Sequence, residues 1–276
     1  MALDWAYKTA ELILNKRFIQ SGTYLFLGAA DTGKTSLLKA MAEYLARRQP
    51  VGIVDADVGQ SHIGPPTTVG WAIVEKPGFD FSTLDVLGIS FVGDVTPSGH
   101  LLQLTAGILR CTEQASKISK LVLIDTPGFV KGQAPCALWW TVHQVLQPEV
   151  IIAVHRNVEL NDVLAGLKSF DFHLELVKVP QELPAKQMQE RQNYRLEKFR
   201  EYFRNAKIFH IDLSKATIQM SGYGDIIGRL AGLRDAGGND LAVGVVLEQK
   251  ENILVIKSPS INSEQVRCVV VGDVMI

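Results

Sequence analysis

The chain has 276 residues, 47% of them hydrophobic and 21% charged, and 28 Lys and Arg against 29 Asp and Glu leave a formal charge of −1. This length suits one large domain, or one with a small companion, and the near-neutral charge excludes a generic polycation, so nucleic-acid binding would need a local basic patch. Cys111, Cys136 and Cys268 form no C-x-x-C pair and the histidines lack metal-ligand spacing, which points away from a zinc site or a disulfide framework; with no basic leader and no apolar run of about 18 residues, the expectation is a soluble cytoplasmic protein with no membrane segment.

Residues 3–19 carry apolar side chains at helical spacing behind Asp4, which predicts an amphipathic helix lying on a sheet. The apolar run Thr23–Leu27 enters G-x-x-x-x-G-K-T at Gly28, Gly33, Lys34 and Thr35, followed by a predicted helix over 36–48. This is a phosphate cradle built from Gly28, Ala29, Ala30, Asp31, Thr32, Gly33, Lys34, Thr35 and Ser36. Its backbone N–H groups and the helix dipole converge on phosphate, Lys34 reaches the β/γ-phosphates and Thr35 ligates Mg²⁺. A buried parallel strand is predicted at 51–55, ending in Asp55 and Asp57. Carboxylates at the carboxyl end of a strand can hold Mg²⁺ through water or take a proton from an attacking hydroxyl, and as residues i and i+2 of an extended segment both are expected to face the phosphates.

A rigid loop at 63–70 and strands at 70–74 and 84–93 lead to a predicted helix at 101–110, so Thr96 to His100 lie at a strand-to-helix turn on the ligand side. Residues 120–125 are the purest buried strand and end in Asp125-Thr-Pro-Gly-Phe129, the look of a Walker B strand, so Asp125 competes with Asp57 for the metal. D-x-x-G at Asp125 to Gly128 also resembles the γ-phosphate sensor of GTPases, but no N-K-x-D or T-K-x-D follows for guanine. Helix 134–147, strand 149–154, helix 159–169 and strand 173–179 complete an alternation that predicts an α/β fold, a P-loop NTPase with a parallel sheet covered by helices on both faces. Pro180 and Pro184 bracket an exit from the core into the charged helix 187–204. There Arg191, Tyr194, Arg195, Lys198 and Tyr202 share an arc of about 100°, beside an apolar stripe of Leu196, Phe199 and Phe203. A lid closing over phosphate and a solvated surface helix both account for that pattern. After strand 207–212, short strands from about residue 226 onward with Gly/Asn turns predict a small β-rich C-terminal domain.

Five motifs, G-A-A-D-T-G-K-T at 28–35, D-A-D-V-G-Q at 55–60, G-D-V-T-P-S-G-H at 93–100, D-T-P-G-F at 125–129 and R-L-E-K-F-R-E-Y-F at 195–203, together resemble the P-loop polynucleotide 5′-hydroxyl kinases. The resemblance implies transfer of the γ-phosphoryl of ATP to the 5′-hydroxyl end of RNA or DNA. It implies Asp57 as base, Gln60 and Thr96 beside metal and phosphate, and Thr126, Pro127, Gly128 and Phe129 as a clasp on the terminal nucleotide. Thr35, Asp57 and Asp125 are the implied Mg²⁺ residues. Lys34, Arg191 and Arg195 would neutralise charge, with Arg200 a rival. The change in element pattern after strand 207–212 divides the chain into a kinase domain over 1–212 and a C-terminal β-rich domain over 213–276, and the resemblance makes the arginine-bearing helix near 185–204 a lid. A P-loop ATPase or GTPase switch acting on a partner protein, and an RNA-binding scaffold with structural ATP, use the same motifs and differ in whether phosphate reaches an acceptor.

Overall fold

The computed structural model describes residues 2–16, 21–180, 187–220 and 224–276. Helix α1 (Ala2–Lys16) places Ala6, Ala10 and Ile13 at i, i+4 and i+7, and these bury against α2 (Lys34–Leu45), where the Tyr7 hydroxyl donates to Glu43 at 2.7 Å. Residues 17–19 of the helix expected over 3–19 lie outside the described residues, as do Pro184 and the first positions of the expected lid.

The apolar runs form β1 (Gly22–Gly28), β2 (Val51–Asp55), β5 (Leu121–Asp125) and β6 (Val150–His155), joined at one edge by β7 (His173–Lys178). These pair in parallel in the order β7-β6-β1-β5-β2. Two apolar clusters fill the faces. One lies under α1 and α2; the other gathers residues of α3 (Leu101–Ser116), α4 (Gln133–Leu146) and α5 (Asn161–Leu167). Strands covered on both sides have no use for alternation, and β2 and β5 are buried at every residue.

Beyond β2 the sheet departs from the expected all-parallel order. Strand β3 (Thr68–Val74) runs antiparallel to β2, and β4 (Gly88–Phe91) antiparallel to β3. The segment between β2 and β3 contains no helix, and without a crossover helix the chain returns alongside the strand it has just left.

Helix α6 (Met188–Tyr202) is followed by β8 (Lys207–Asp212), β9 (Thr217–Met220), β10 (Arg229–Arg234), β11 (Asp240–Lys250), β12 (Ile253–Ser258) and β13 (Cys268–Met275). They pair as β8-β12-β11-β10-β13-β9, antiparallel throughout except for β13 with β9. Residues 207–212, assigned from sequence to the first domain, therefore pair with a C-terminal strand. The C-terminal strands join the rest at β4, where β11 pairs Asp240 with Ile89. The buried Asp240 carboxylate there accepts the Phe91 N–H at 2.7 Å and Arg234 Nε at 2.9 Å, which compensates its desolvation. Among the described residues no helix is long and apolar enough to cross a membrane.

Candidate active site

The chain leaves β1 into the loop 29–33 and re-enters regular structure at Lys34, a turn that puts Gly33 at φ +80°, where a Cβ would be strained. Thr32 is buried, and its hydroxyl and Lys34 Nζ both donate to Ala29 O at 2.9 Å, so the ammonium sits within the curl of the loop. Ala30, Asp31, Gly33, Lys34, Thr35 and Ser36 line a cleft of about 690 Å³, within the size range of small-molecule sites, whereas Gly28, Ala29 and Thr32 shape the loop beneath it.

Parallel register sets Asp55 opposite Asp125 at the carboxyl ends of β2 and β5. The Thr35 hydroxyl donates to Asp125 Oδ2 at 2.5 Å, and Asp125 Oδ1 is buried without a hydrogen-bond partner among the described residues. Burial pushes the Asp125 carboxyl from its ordinary 3.8 up to about 6, against the pull of Lys34 and Thr35, and the Asp57 carboxylate adds to the rise. An orphaned carboxylate oxygen beside a threonine hydroxyl and a second acid suits a hard divalent cation such as Mg²⁺. Asp55 plays another part than expected. Its Oδ1 accepts the Asp57 N–H at 3.0 Å, and its Oδ2 accepts His62 N–H at 2.5 Å and Ile63 N–H at 3.0 Å, so it folds the loop and does not line the cleft. Burial, with Asp125 and Asp57 nearby, raises its carboxyl well above the usual range.

These shifts carry a sign. Between about pH 4 and pH 6 the folded chain keeps a proton on Asp125 that the unfolded chain has released, so in EDTA the melting temperature measured relative to that of Asp125→Asn is expected to fall as pH rises through that window. Mg²⁺ should then raise it more at about pH 7 than at about pH 5, as ligands must be deprotonated. A difference from Asp125→Asn that grows in favour of the parent chain through the window, or a pH-independent Mg²⁺ gain, contradicts this assignment.

Asp57 lines the cleft with its Oδ1 accepting N–H from Gly59 at 3.1 Å and Gln60 at 3.0 Å, and among the described residues nothing hydrogen-bonds its Oδ2. Gln60 and the exposed Thr96 also line it; Gln60 Nε2 donates to Arg191 O at 3.4 Å, while its buried Oε1 has no partner among the described residues. Of the expected clasp, Pro127, Gly128 and Phe129 reach the cleft, and Trp139 Nε1 holds Phe129 O at 2.8 Å. Thr126 does not. It is fully buried with its hydroxyl donating to Phe26 O at 2.6 Å, which ties the clasp to β1. Gly128 lies so near the P-loop that a Cβ would stand 2.4 Å from Ala30 N. Gly128→Ala is accordingly expected to push clasp and P-loop apart and cost on the order of 10²-fold in nucleotide-dependent activity with a small loss of melting temperature; unchanged activity would contradict the contact.

Helix α6 starts with a capping box between Gln187 and Glu190 and crosses the cleft. Arg191 pairs with Asp31 of the P-loop, and Arg195 lines the cleft with no ion pair among the described residues. Arg200 is exposed and does not line the cleft. The apolar side differs from the expected stripe: Leu196 is exposed, whereas Phe199 is buried with Tyr202 and Phe203 packed beside it against Phe91, Leu230, Val243 and Val270. The Tyr202 hydroxyl accepts the Val243 N–H at 2.9 Å, so Tyr202 anchors the helix instead of facing the ligand. Arg156, just after β6, donates to Asp31 O at 2.9 Å and to Pro180 O at 3.4 Å. The sequence does not mark it, as a single arginine in a loop has no period or spacing.

A family model described as the mRNA cleavage and polyadenylation factor CLP1 P-loop matches residues 28–205. The chain is 34% identical over 216 residues to a Pyrococcus furiosus protein named polyribonucleotide 5′-hydroxyl-kinase, covering 78% of this chain and 59% of that one. A Methanocaldococcus jannaschii protein of the same name is 29% identical over 197 residues, 70% of this chain and 54% of that one. The chain thus spans little more than half the length of these relatives. The solved Clp1p of a Clp1p–Pcf11p complex superposes with a TM-score of 0.74 at 11% identity, over 99% of this chain and 79% of that chain, and shows the fold.

Proposed function

This chain belongs to the CLP1 P-loop family, and from that premise we propose that it is an ATP-dependent polynucleotide 5′-hydroxyl kinase acting on RNA ends. The observation that carries the reading is Asp57: its Oδ1 is fixed by two backbone N–H groups, and the residue lines the same cleft as Lys34, Phe129 and Arg195. A P-loop switch needs a cradle and a sensor; a cleft with a carboxylate and an aromatic clasp opposite the cradle also has a place for an acceptor.

ATP phosphates bind in the cradle of residues 28–36, and the terminal nucleotide of the acceptor lies against Pro127–Phe129. A base stacked on Phe129 gains about 1–3 kcal/mol irrespective of its identity. Asp57 takes the proton of the 5′-hydroxyl as its oxygen bonds to the γ-phosphorus and the bond to the ADP oxygen breaks in line. Lys34, Arg191 and Arg195 neutralise the charge spread over the transferring oxygens. Thr35 and Asp125, with Asp57 facing them, would hold Mg²⁺, which supplies further charge neutralisation on the phosphates. The C-terminal strands serve as the mount of the lid, since the end of α6 packs on them; in this reading residues 213–276 form the second domain, to which β8 is paired.

Incubation with γ-labelled ATP and 5′-hydroxyl oligonucleotides, RNA beside DNA, tests the proposal. Label is expected on RNA. Label released only as free phosphate would favour the switch reading, and ATP bound without turnover the scaffold.

A further inference from the structure

His62 and Phe81 form a stacked pair at the rim of the cleft, ring centroids 5.1 Å apart and planes 24° from parallel. Tyr194 of the lid meets His62 edge-on at 5.8 Å, its hydroxyl donating to Ser61 O at 2.8 Å, and Phe79 meets Phe81 edge-on at 5.4 Å. His62 and Phe81 are partly exposed, and both line the cleft together with Lys39, whose ammonium lies 5.6 Å from the Phe79 ring centroid. Core packing explains one side of Phe81, which rests on the cluster under α1 and α2, but not a cleft-facing ring pair flanked by a cation.

Their place decides which substrate they meet. In-line transfer puts acceptor and donor nucleoside on opposite sides of the transferring phosphoryl. Asp57 and His62 belong to one loop, folded by Asp55, so the rings lie on the side of the base that takes the acceptor proton. Sheet order agrees: His62 and Phe81 follow β2 and β3, beyond β5 from the P-loop strand, whereas Arg156 covers Asp31 from β6 on the opposite flank. Phe129 stands over the cluster on the other face of the sheet, so the two aromatic surfaces flank the cleft from its two sides.

We propose that the His62–Phe81 pair is a second base-stacking platform, which takes the nucleobase following the acceptor's terminal nucleotide, with Lys39 beside the intervening phosphodiester. It rests on the kinase reading for its direction, and it makes an unpaired end of at least two nucleotides the preferred acceptor, since a base must leave a duplex to lie on a ring.

Anisotropy titration of a labelled single-stranded 5′-hydroxyl RNA trinucleotide, beside a labelled nucleoside 3′-phosphate, tests it without requiring turnover. Wild type is expected to bind the trinucleotide more tightly than the mononucleotide. Phe81→Leu, which keeps an apolar side chain on the core, should weaken trinucleotide binding by about 5- to 150-fold, the range of one stacked base. It should remove most of the length gain, Phe81→Trp should restore it, and His62→Ala should act in the same direction. An unchanged trinucleotide affinity in Phe81→Leu, with an unchanged melting temperature, overturns the platform, and so does a wild type that binds no RNA. An equal loss of ATP affinity assigns the rings to adenine and also overturns it. Wild type that binds the trinucleotide through Phe81 yet transfers no phosphate sinks the kinase reading and leaves the platform standing.

Discussion

Asp57→Asn is expected to lower phosphoryl transfer by about 10²–10⁴-fold, the range of a lost general base, while ATP affinity stays nearly intact. An asparagine keeps the Oδ1 that accepts the Gly59 and Gln60 N–H groups, so the loop should hold its shape and only the proton-accepting oxygen is lost. Lys34→Ala should behave differently: Lys34 sits inside the curl of the P-loop, bonded to Ala29 O, and its loss should harm ATP binding and transfer together. Single-turnover rates at saturating ATP, with ATP affinity from calorimetry, separate the two. Near-normal transfer in Asp57→Asn would move the base elsewhere, with Asp125 next in line.

The second large effect is expected at Arg195. A guanidinium that stabilises transferring phosphoryl charge is worth about 10³–10⁵ in turnover where it acts as an arginine finger, and Arg195 is the lid cation that lines the cleft without an ion pair among the described residues. Arg195→Ala should therefore cost within that range, and Arg195→Lys should recover little, as a lysine cannot offer the planar fork. Arg191→Ala should cost less, since Arg191 already pairs with Asp31, and Arg200→Ala little, since Arg200 does not line the cleft. Equal losses at Arg195 and Arg200 would contradict the placement of the lid.

What the sequence shows and conceals follows from the range of the interactions involved. The P-loop, β1 and α2 are legible because a glycine pattern between an apolar strand and a helix has one physical use. The buried strands β2, β5 and β6 are legible because continuous apolar runs suit strands covered on both faces. The division of labour between Asp55 and Asp57 is not legible. An i and i+2 pair shares a face only where 55–57 is extended, whereas His62 and Ile63 fold back to occupy Asp55. Thr126 stays out of the cleft lining for a similar reason, as its partner is Phe26 O on a neighbouring strand. On α6, an arc drawn at 100° per residue cannot say that Tyr202 meets Val243 of β11, so an anchor reads as part of the cationic face. The antiparallel turn of the sheet at β3 is hidden too, because apolar strands look alike in either direction.

The lid connects these points to the C-terminal strands. Its first half touches the P-loop through Arg191 and Asp31, and its second half is fixed to β11 through Tyr202 and packed on Phe91 and Val270. A helix held at one end and charged at the other can bring Arg195 to a phosphate without dismantling a core.

The central claim is that the cleft joins a nucleoside triphosphate to an RNA end. The direct measurement is the ratio of 5′-phosphorylated RNA to ADP formed when the protein turns over ATP with a single-stranded 5′-hydroxyl RNA. One phosphorylated end per ADP is the predicted result; ADP and free phosphate accumulating over unchanged RNA would contradict it.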